Sequence, residues 1–111
     1  MKGIYAITPC NEEINTLLEK VKRLLDSGVL FFQYRDKNLH KHEISENAYR
    51  LLELIKKYDA KLIINDSPMV AMEIGADGFH LGLEDYQEKK MQNFLNEHCE
   101  VLNEDYIKGI S

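Results

Sequence analysis

Five short apolar runs alternate with four amphipathic stripes, and this order limits what the chain can fold into more than any single residue does. Residues 3–8 (Gly-Ile-Tyr-Ala-Ile-Thr) form the first run, ended by Pro9. Asn11 is the expected helix cap, with Glu12 and Glu13 in the first turn, where the helix dipole favours acids. Ile14, Leu17, Leu18, Val21, Leu24 and Leu25 then recur at helical spacing, and Gly28 is the stop. The second strand covers 29–35. A second helix over 41–58 places Ile44, Ala48, Leu51, Leu52 and Ile55 on one face. Residues 61–65 read as a short buried strand, Ser67-Pro68 as a cap with a first-turn proline, and Gly75 as the end of a short third helix. A fourth strand over 78–81, a fourth helix over 87–97 with Met91, Phe94 and Leu95 apolar, and a fifth strand over 106–110 complete the pattern.

Strands alternating with helices predict an α/β fold with a parallel sheet and right-handed crossovers. No linker or low-complexity tract divides the chain and no second domain is apparent, so residues 1–111 are expected to form a single domain. The spacing suits either a (β/α) barrel or an open doubly wound sheet, and periodicity does not choose between them. Neither a GxGxxG dinucleotide pattern nor a Walker A loop is present.

In both architectures ligands bind at the carboxyl ends of the strands. Side chains alternate across a strand, so Gln33, Arg35 and Lys37 share one face at the end of the second. Two cations pointing the same way repel each other and are tolerated where an anion lies between them, and a diphosphate suits such a pair. Asn65 and Asp66 end the third strand, Glu84 and Asp85 follow the fourth, and Ser111 follows the fifth. Asp66 and Asp85 are hard oxygen donors from separate loops, as Mg²⁺ prefers when phosphate completes its shell. Gln33 and Asn65 can each donate to and accept from the edge of a heterocycle. Taken singly, Asp66 fits a residue preceding a helix cap and Asp85 a first-turn helix acid. Their convergence with the second strand favours a Mg-diphosphate site beside a small polar ring. His80 is expected to be a buried, hydrogen-bonded histidine rather than a catalytic one.

Composition narrows the partners. The net charge is −5 with acids and bases mixed throughout, which argues against nucleic acid or an anionic membrane surface. No apolar run approaches membrane-spanning length, and the N-terminus lacks the basic-then-apolar layout of a signal peptide. Cys10 and Cys99 have no metal-binding or CxxC spacing and read as free thiols of a cytoplasmic protein.

Three motifs, in order, carry a resemblance: Gln33-Tyr34-Arg35-Asp36-Lys37, Ile63-Ile64-Asn65-Asp66, and Gly75-Ala76-Asp77-Gly78-Phe79-His80-Leu81-Gly82-Leu83-Glu84-Asp85. With the opening Ile4-Tyr5-Ala6-Ile7-Thr8, they resemble the thiamine-phosphate synthase family along the whole chain. The resemblance implies a partial TIM (β/α)₈ barrel of about four βα units plus a fifth strand. It implies a transferase joining hydroxymethylpyrimidine diphosphate to thiazole phosphate with release of diphosphate. Gln33, Arg35, Lys37, Asn65 and Ser111 would hold the pyrimidine diphosphate, Arg35 and Lys37 would stabilise the leaving group, and Asp66 and Asp85 would hold Mg²⁺. The chain departs from the family where Pro9 follows Thr8 in place of Asp, where Leu83 replaces a polar residue, and in a longer segment between Asp85 and Ser111.

A complete barrel of this kind takes roughly 250 residues. At 111 residues, ending beside the fifth strand, the chain is expected to be a truncated product, to pair with another chain or a second copy, or to be marginal and aggregation-prone. Two alternatives stand beside the synthase. One is the related thiazole tautomerase, whose members often lose the Arg/Lys and paired-aspartate pattern. The other is a non-catalytic half-barrel remnant that binds an anion or a partner chain.

Overall fold

The structure is a computed structural model and describes residues 5–9, 12–36, 41–82, 87–97 and 107–110. The elements in chain order are β1 (Tyr5–Ile7), α1 (Ile14–Asp26), β2 (Phe31–Tyr34), α2 (Lys41–Lys56), β3 (Lys61–Asn65), α3 (Pro68–Ile74), β4 (Gly78–Leu81), α4 (Lys89–Glu97) and β5 (Ile107–Ile110). The expected alternation is therefore present, with strands one and two shorter than the apolar runs that announce them.

Every strand pairs parallel to the next, in the order β1-β2-β3-β4-β5. This order decides between the two architectures left open by periodicity. A doubly wound sheet reverses its strand order at a switch point and carries helices on both faces. An unreversed order with right-handed crossovers puts all the helices on one side, as in a barrel wall.

Burial follows that geometry. Phe32 and Tyr34 of β2, Leu62 and Ile64 of β3, and Phe79 and Leu81 of β4 face the helices and are almost wholly buried. They pack against Leu17, Val21 and Leu25 of α1, Ala48, Leu51, Leu52 and Ile55 of α2, and Val70 and Ala71 of α3. The alternate residues Gln33, Ile63, Asn65, Gly78 and His80 lie on the other face, the inner face of a barrel. Leu24 departs from the expected apolar stripe of α1 and is exposed.

Local signals set most of the helix ends. Ser67 caps α3 by accepting the Val70 N–H at 3.2 Å, Pro68 occupies the first turn, and Gly75 closes the helix at φ 76°. The start of α1 differs from expectation. Its N-cap is Glu13, whose carboxylate accepts the Thr16 N–H at 3.1 Å, and Asn11 lies outside the described residues. Glu12 instead pairs with Lys20 at 2.7 Å. Asp77 fixes the β3–β4 start from both ends: its N–H donates to the Leu62 carbonyl and its carboxylate accepts the Leu62 N–H, each at 2.9 Å.

The end of α1 is tied at the surface to the turn after α2 by Tyr58, whose hydroxyl donates to Asp26 Oδ1 at 2.6 Å. That bond, with Lys22 3.4 Å away as a second donor, holds the Asp26 carboxyl below its ordinary value. A carboxyl depressed in the folded state adds stability above its unfolded value, and the gain is lost as pH falls through the depressed value. Tyr58→Phe is therefore expected to move the Asp26 titration back toward 3.8 and to destabilise the fold at neutral pH but much less in strong acid. An NMR titration of the Asp26 carboxyl with and without the hydroxyl measures both effects.

Candidate substrate site

The carboxyl end of the sheet begins with a cross-strand clamp. Thr8, just past β1 and buried, donates its N–H to the Gln33 carbonyl at 2.9 Å. Its hydroxyl accepts the Arg35 N–H at 3.0 Å, where the β1–β2 ladder has already ended. The hydroxyl thus replaces a ladder carbonyl and fixes the backbone from which the Arg35 guanidinium projects. Thr8→Val leaves that N–H without its acceptor in a part-buried position. The expected loss is about 1–2 kcal/mol in urea denaturation, largely restored by Thr8→Ser.

Gln33 is only 4% exposed, an amide on the inner face of a central strand. It lies in register with Ile7 and Ile63. One step further along the strands, Arg35 follows Tyr34, the partner of Ile64, and so stands beside Asn65, which is in register with His80. Arg35 lies just beyond β2 rather than within it. Three of the expected site residues therefore share one rim of two adjacent strands: Gln33, Arg35 and Asn65. Lys37, Asp85 and Ser111 fall outside the described residues.

Asp66 follows β3 directly and is exposed. Its backbone is left-handed, φ 66°, a conformation uncommon outside glycine and easiest for Asn and Asp. Its N–H donates to the His80 carbonyl at 2.7 Å, which ties the ends of β3 and β4 together. It also lines a groove of about 260 Å³ between the start of α3 and α4, with Ser67, Met69, Glu88, Lys90, Met91 and Phe94 among the walls. Backbone strain of this kind collects at functional positions.

The donor set can be tested against a divalent cation. Magnesium needs only one or two protein carboxylates when phosphate oxygens and water complete its octahedron. Asp66 is one hard, exposed oxygen donor held on the rim, which fits that requirement. Among the described residues, no group of three or more Asp, Glu, His or Cys side chains is close enough to hold a metal by itself.

His80 differs from expectation. It is part-exposed, and its Nδ1 is buried without a hydrogen-bond partner. Sequence reasoning also missed Thr8, because its partner lies 27 residues away on another strand and no local pattern announces it.

Comparison with known proteins places this chain in a family. The sequence model described as "Thiamine monophosphate synthase" matches residues 4–101. The thiamine-phosphate synthase of Halalkalibacterium halodurans is 40% identical over 111 residues, covering 97% of this chain and 48% of that protein. That of Caldicellulosiruptor saccharolyticus is 39% identical over 94 residues, covering 85% of this chain and 39% of that protein. The solved structure of a thiamine phosphate pyrophosphorylase from Pyrococcus furiosus superposes with a TM-score of 0.72 at 27% identity, covering 96% of this chain and 48% of that one. The chain spans less than half the length of these relatives. The family match over most of its residues, the identity to curated relatives and the structural superposition agree, and the chain belongs to the thiamine monophosphate synthase family.

Proposed function

We propose that this chain supplies the pyrimidine-diphosphate side of a thiamine-phosphate synthase-type transferase, an enzyme joining hydroxymethylpyrimidine diphosphate to thiazole phosphate. The placement of Gln33, Arg35 and Asn65 supports this assignment: two amides and a cation stand toward the carboxyl ends of two paired strands, with Asp66 on the same rim. Relatives named for the synthase support it over the tautomerase.

In the proposed reaction the methylene C–O bond breaks and its electron pair leaves with diphosphate. The pyrimidine-stabilised cation is then captured by the thiazole nitrogen lone pair, forming the new C–N bond. Arg35 and Lys37 bind the diphosphate and stabilise the negative charge that grows on it. Gln33, Asn65 and Ser111 orient the pyrimidine. Asp66 and Asp85 are the proposed ligands of Mg²⁺, which when bound would neutralise further charge on the leaving group. No step calls for a protein nucleophile or a strong general base.

Residues 1–111 are proposed to act as one domain of a cytoplasmic protein; among the described residues no helix is long and apolar enough to cross a membrane. A second copy or a chain carrying further βα units is the proposed macromolecular partner. Ile7 on the outer strand β1 is 54% exposed, an apolar side chain where a barrel would continue.

Titration calorimetry with the pyrimidine diphosphate tests the binding half. Mg²⁺-dependent binding is expected, and no heat with or without Mg²⁺ would remove the assignment. An assay for thiamine phosphate tests the second half. The chain alone is expected to form none, so full-rate synthesis by the isolated 111-residue chain defeats the need for a partner.

A further inference from the structure

The bond between Thr8 and Arg35 holds a cation in place from outside the site. Pairing between β1 and β2 runs out at Ile7 and Gln33, and pairing between β2 and β3 runs out at Tyr34 and Ile64. Arg35 is the next residue and stands beyond both ladders. In a continuing parallel ladder its N–H would go to a carbonyl of the neighbouring strand. Here the Thr8 hydroxyl accepts it at 3.0 Å, while the Thr8 N–H donates to the Gln33 carbonyl at 2.9 Å. One residue just past β1 therefore grips the second strand on both sides of Tyr34.

Thr8 does this from the far side of the sheet. Ile7 is in register with Gln33 and shares the inner face, so Thr8, its neighbour, turns toward the helices. There it is buried and lines a small apolar recess of about 100 Å³ with Ala6, Leu17, Val21 and Phe32. A hydrogen bond in apolar surroundings is stronger than one in water. The β-branched side chain has few χ1 choices, and the following Pro9 confines the Thr8 backbone to extended conformations. The acceptor offered to Arg35 is thus a rigid one.

We propose that Thr8 is a positioning residue for diphosphate binding: its hydroxyl sets the direction in which the Arg35 guanidinium leaves the strand end, without reaching the ligand itself. This inference rests on the assignment of Arg35 to the diphosphate above. A guanidinium grips phosphate oxygens through two parallel N–H bonds, and that fork tolerates little tilt. A displacement of about 1 Å at a demanding contact can cost up to about 100-fold. Once its N–H is released from Thr8, the Arg35 backbone is free to rotate, and the long side chain amplifies that rotation at its tip.

A double-mutant cycle separates positioning from plain stability. Thr8→Val and Thr8→Ala remove the hydroxyl, Thr8→Ser keeps it, and each is made alone and together with Arg35→Gln. Calorimetry measures affinity for the pyrimidine diphosphate with Mg²⁺, and urea denaturation measures stability. With Arg35 present, Thr8→Val and Thr8→Ala are expected to weaken binding about 10-fold, and Thr8→Ser by less than about 3-fold. In the Arg35→Gln background the same changes at Thr8 are expected to alter affinity by less than about 2-fold, because no guanidinium is left to aim. The shift in urea midpoint is expected to be the same in both backgrounds, since the backbone N–H at position 35 remains.

Unchanged affinity in Thr8→Val and Thr8→Ala overturns the proposal. An equal loss of affinity in the two backgrounds also overturns it, by making Thr8 a structural residue, as does failure of both hydroxyl-free variants to fold. In each of these cases the unaltered chain still binds the pyrimidine diphosphate and Arg35→Gln still weakens that binding. An unaltered chain that does not bind it, or an Arg35→Gln variant that binds it as tightly as the parent, is a different result. Either one overturns the assignment of Arg35 to the diphosphate, together with this extension of it.

Discussion

Asp66→Asn is expected to cost about 100-fold or more in Mg²⁺-dependent binding of the pyrimidine diphosphate while leaving the melting temperature within a few degrees. The two effects separate because Asp66 does two things. Its backbone holds the left-handed turn after β3 and donates to the His80 carbonyl, and Asn adopts that conformation as readily as Asp. Its carboxylate is exposed on the rim, and Asn keeps an oxygen but loses the negative charge that the proposed Mg²⁺ site calls for, without opening the core. Asp66→Gly extends the contrast. Glycine takes φ 66° without a steric cost, so stability is expected to hold or rise by up to about 1 kcal/mol while Mg²⁺-dependent binding is again lost. Asp66→Val, with a branched side chain forced into the same backbone, is expected to lose both. Calorimetry with and without Mg²⁺, beside a thermal melt, reads the whole series. Equal Mg²⁺-dependent affinity in the parent and Asp66→Asn would remove Asp66 from the metal site.

Phe32→Ala and Gln33→Met test the two faces of one strand with adjacent residues. Phe32 is fully buried among the helix-facing side chains, and cutting it to alanine is expected to cost about 3–5 kcal/mol through lost burial and the cavity left behind. Domains of this size have only about 5–15 kcal/mol to lose, so the variant is expected to unfold at a much lower urea concentration. Gln33 is almost as buried, yet it lies on the inner face. Gln33→Met keeps length and volume but removes the amide, so its cost is expected to be about 1 kcal/mol, with at least about 10-fold weaker binding of the pyrimidine diphosphate. Urea denaturation and calorimetry on both variants give the comparison. Equal destabilisation by the two would mean that Gln33 serves the core and not a ligand.

These two residues also show why the fold was partly legible in the sequence. The apolar alternation across β2–β4 and the helical stripes of α1 and α2 are local, and each is repeated often enough to reveal its period. Ser67, Pro68 and Gly75 state the limits of α3 in the order that capping physics requires. The start of α1 was less legible, because both Asn11 and Glu13 can cap, and a longer carboxylate still reaches the third helical N–H. Strand order was not legible, since it depends on pairing between distant segments. What was legible of the candidate site is position: Gln33, Arg35, Asn65 and Asp66 could all be placed toward the carboxyl ends of β2 and β3 in advance. The left-handed turn at Asp66, the Thr8 clamp and the unpartnered Nδ1 of His80 could not be. Each depends on atoms brought together from separate strands.

The unreversed strand order has a consequence for how such a chain assembles. Each βα unit closes only onto the unit just before it, so every new strand adds one short loop closure and one ready template. Assembly can begin at any neighbouring pair of units and spread outward in either direction, as along a stacked array. No strand has to wait for a distant partner before it can join the growing sheet.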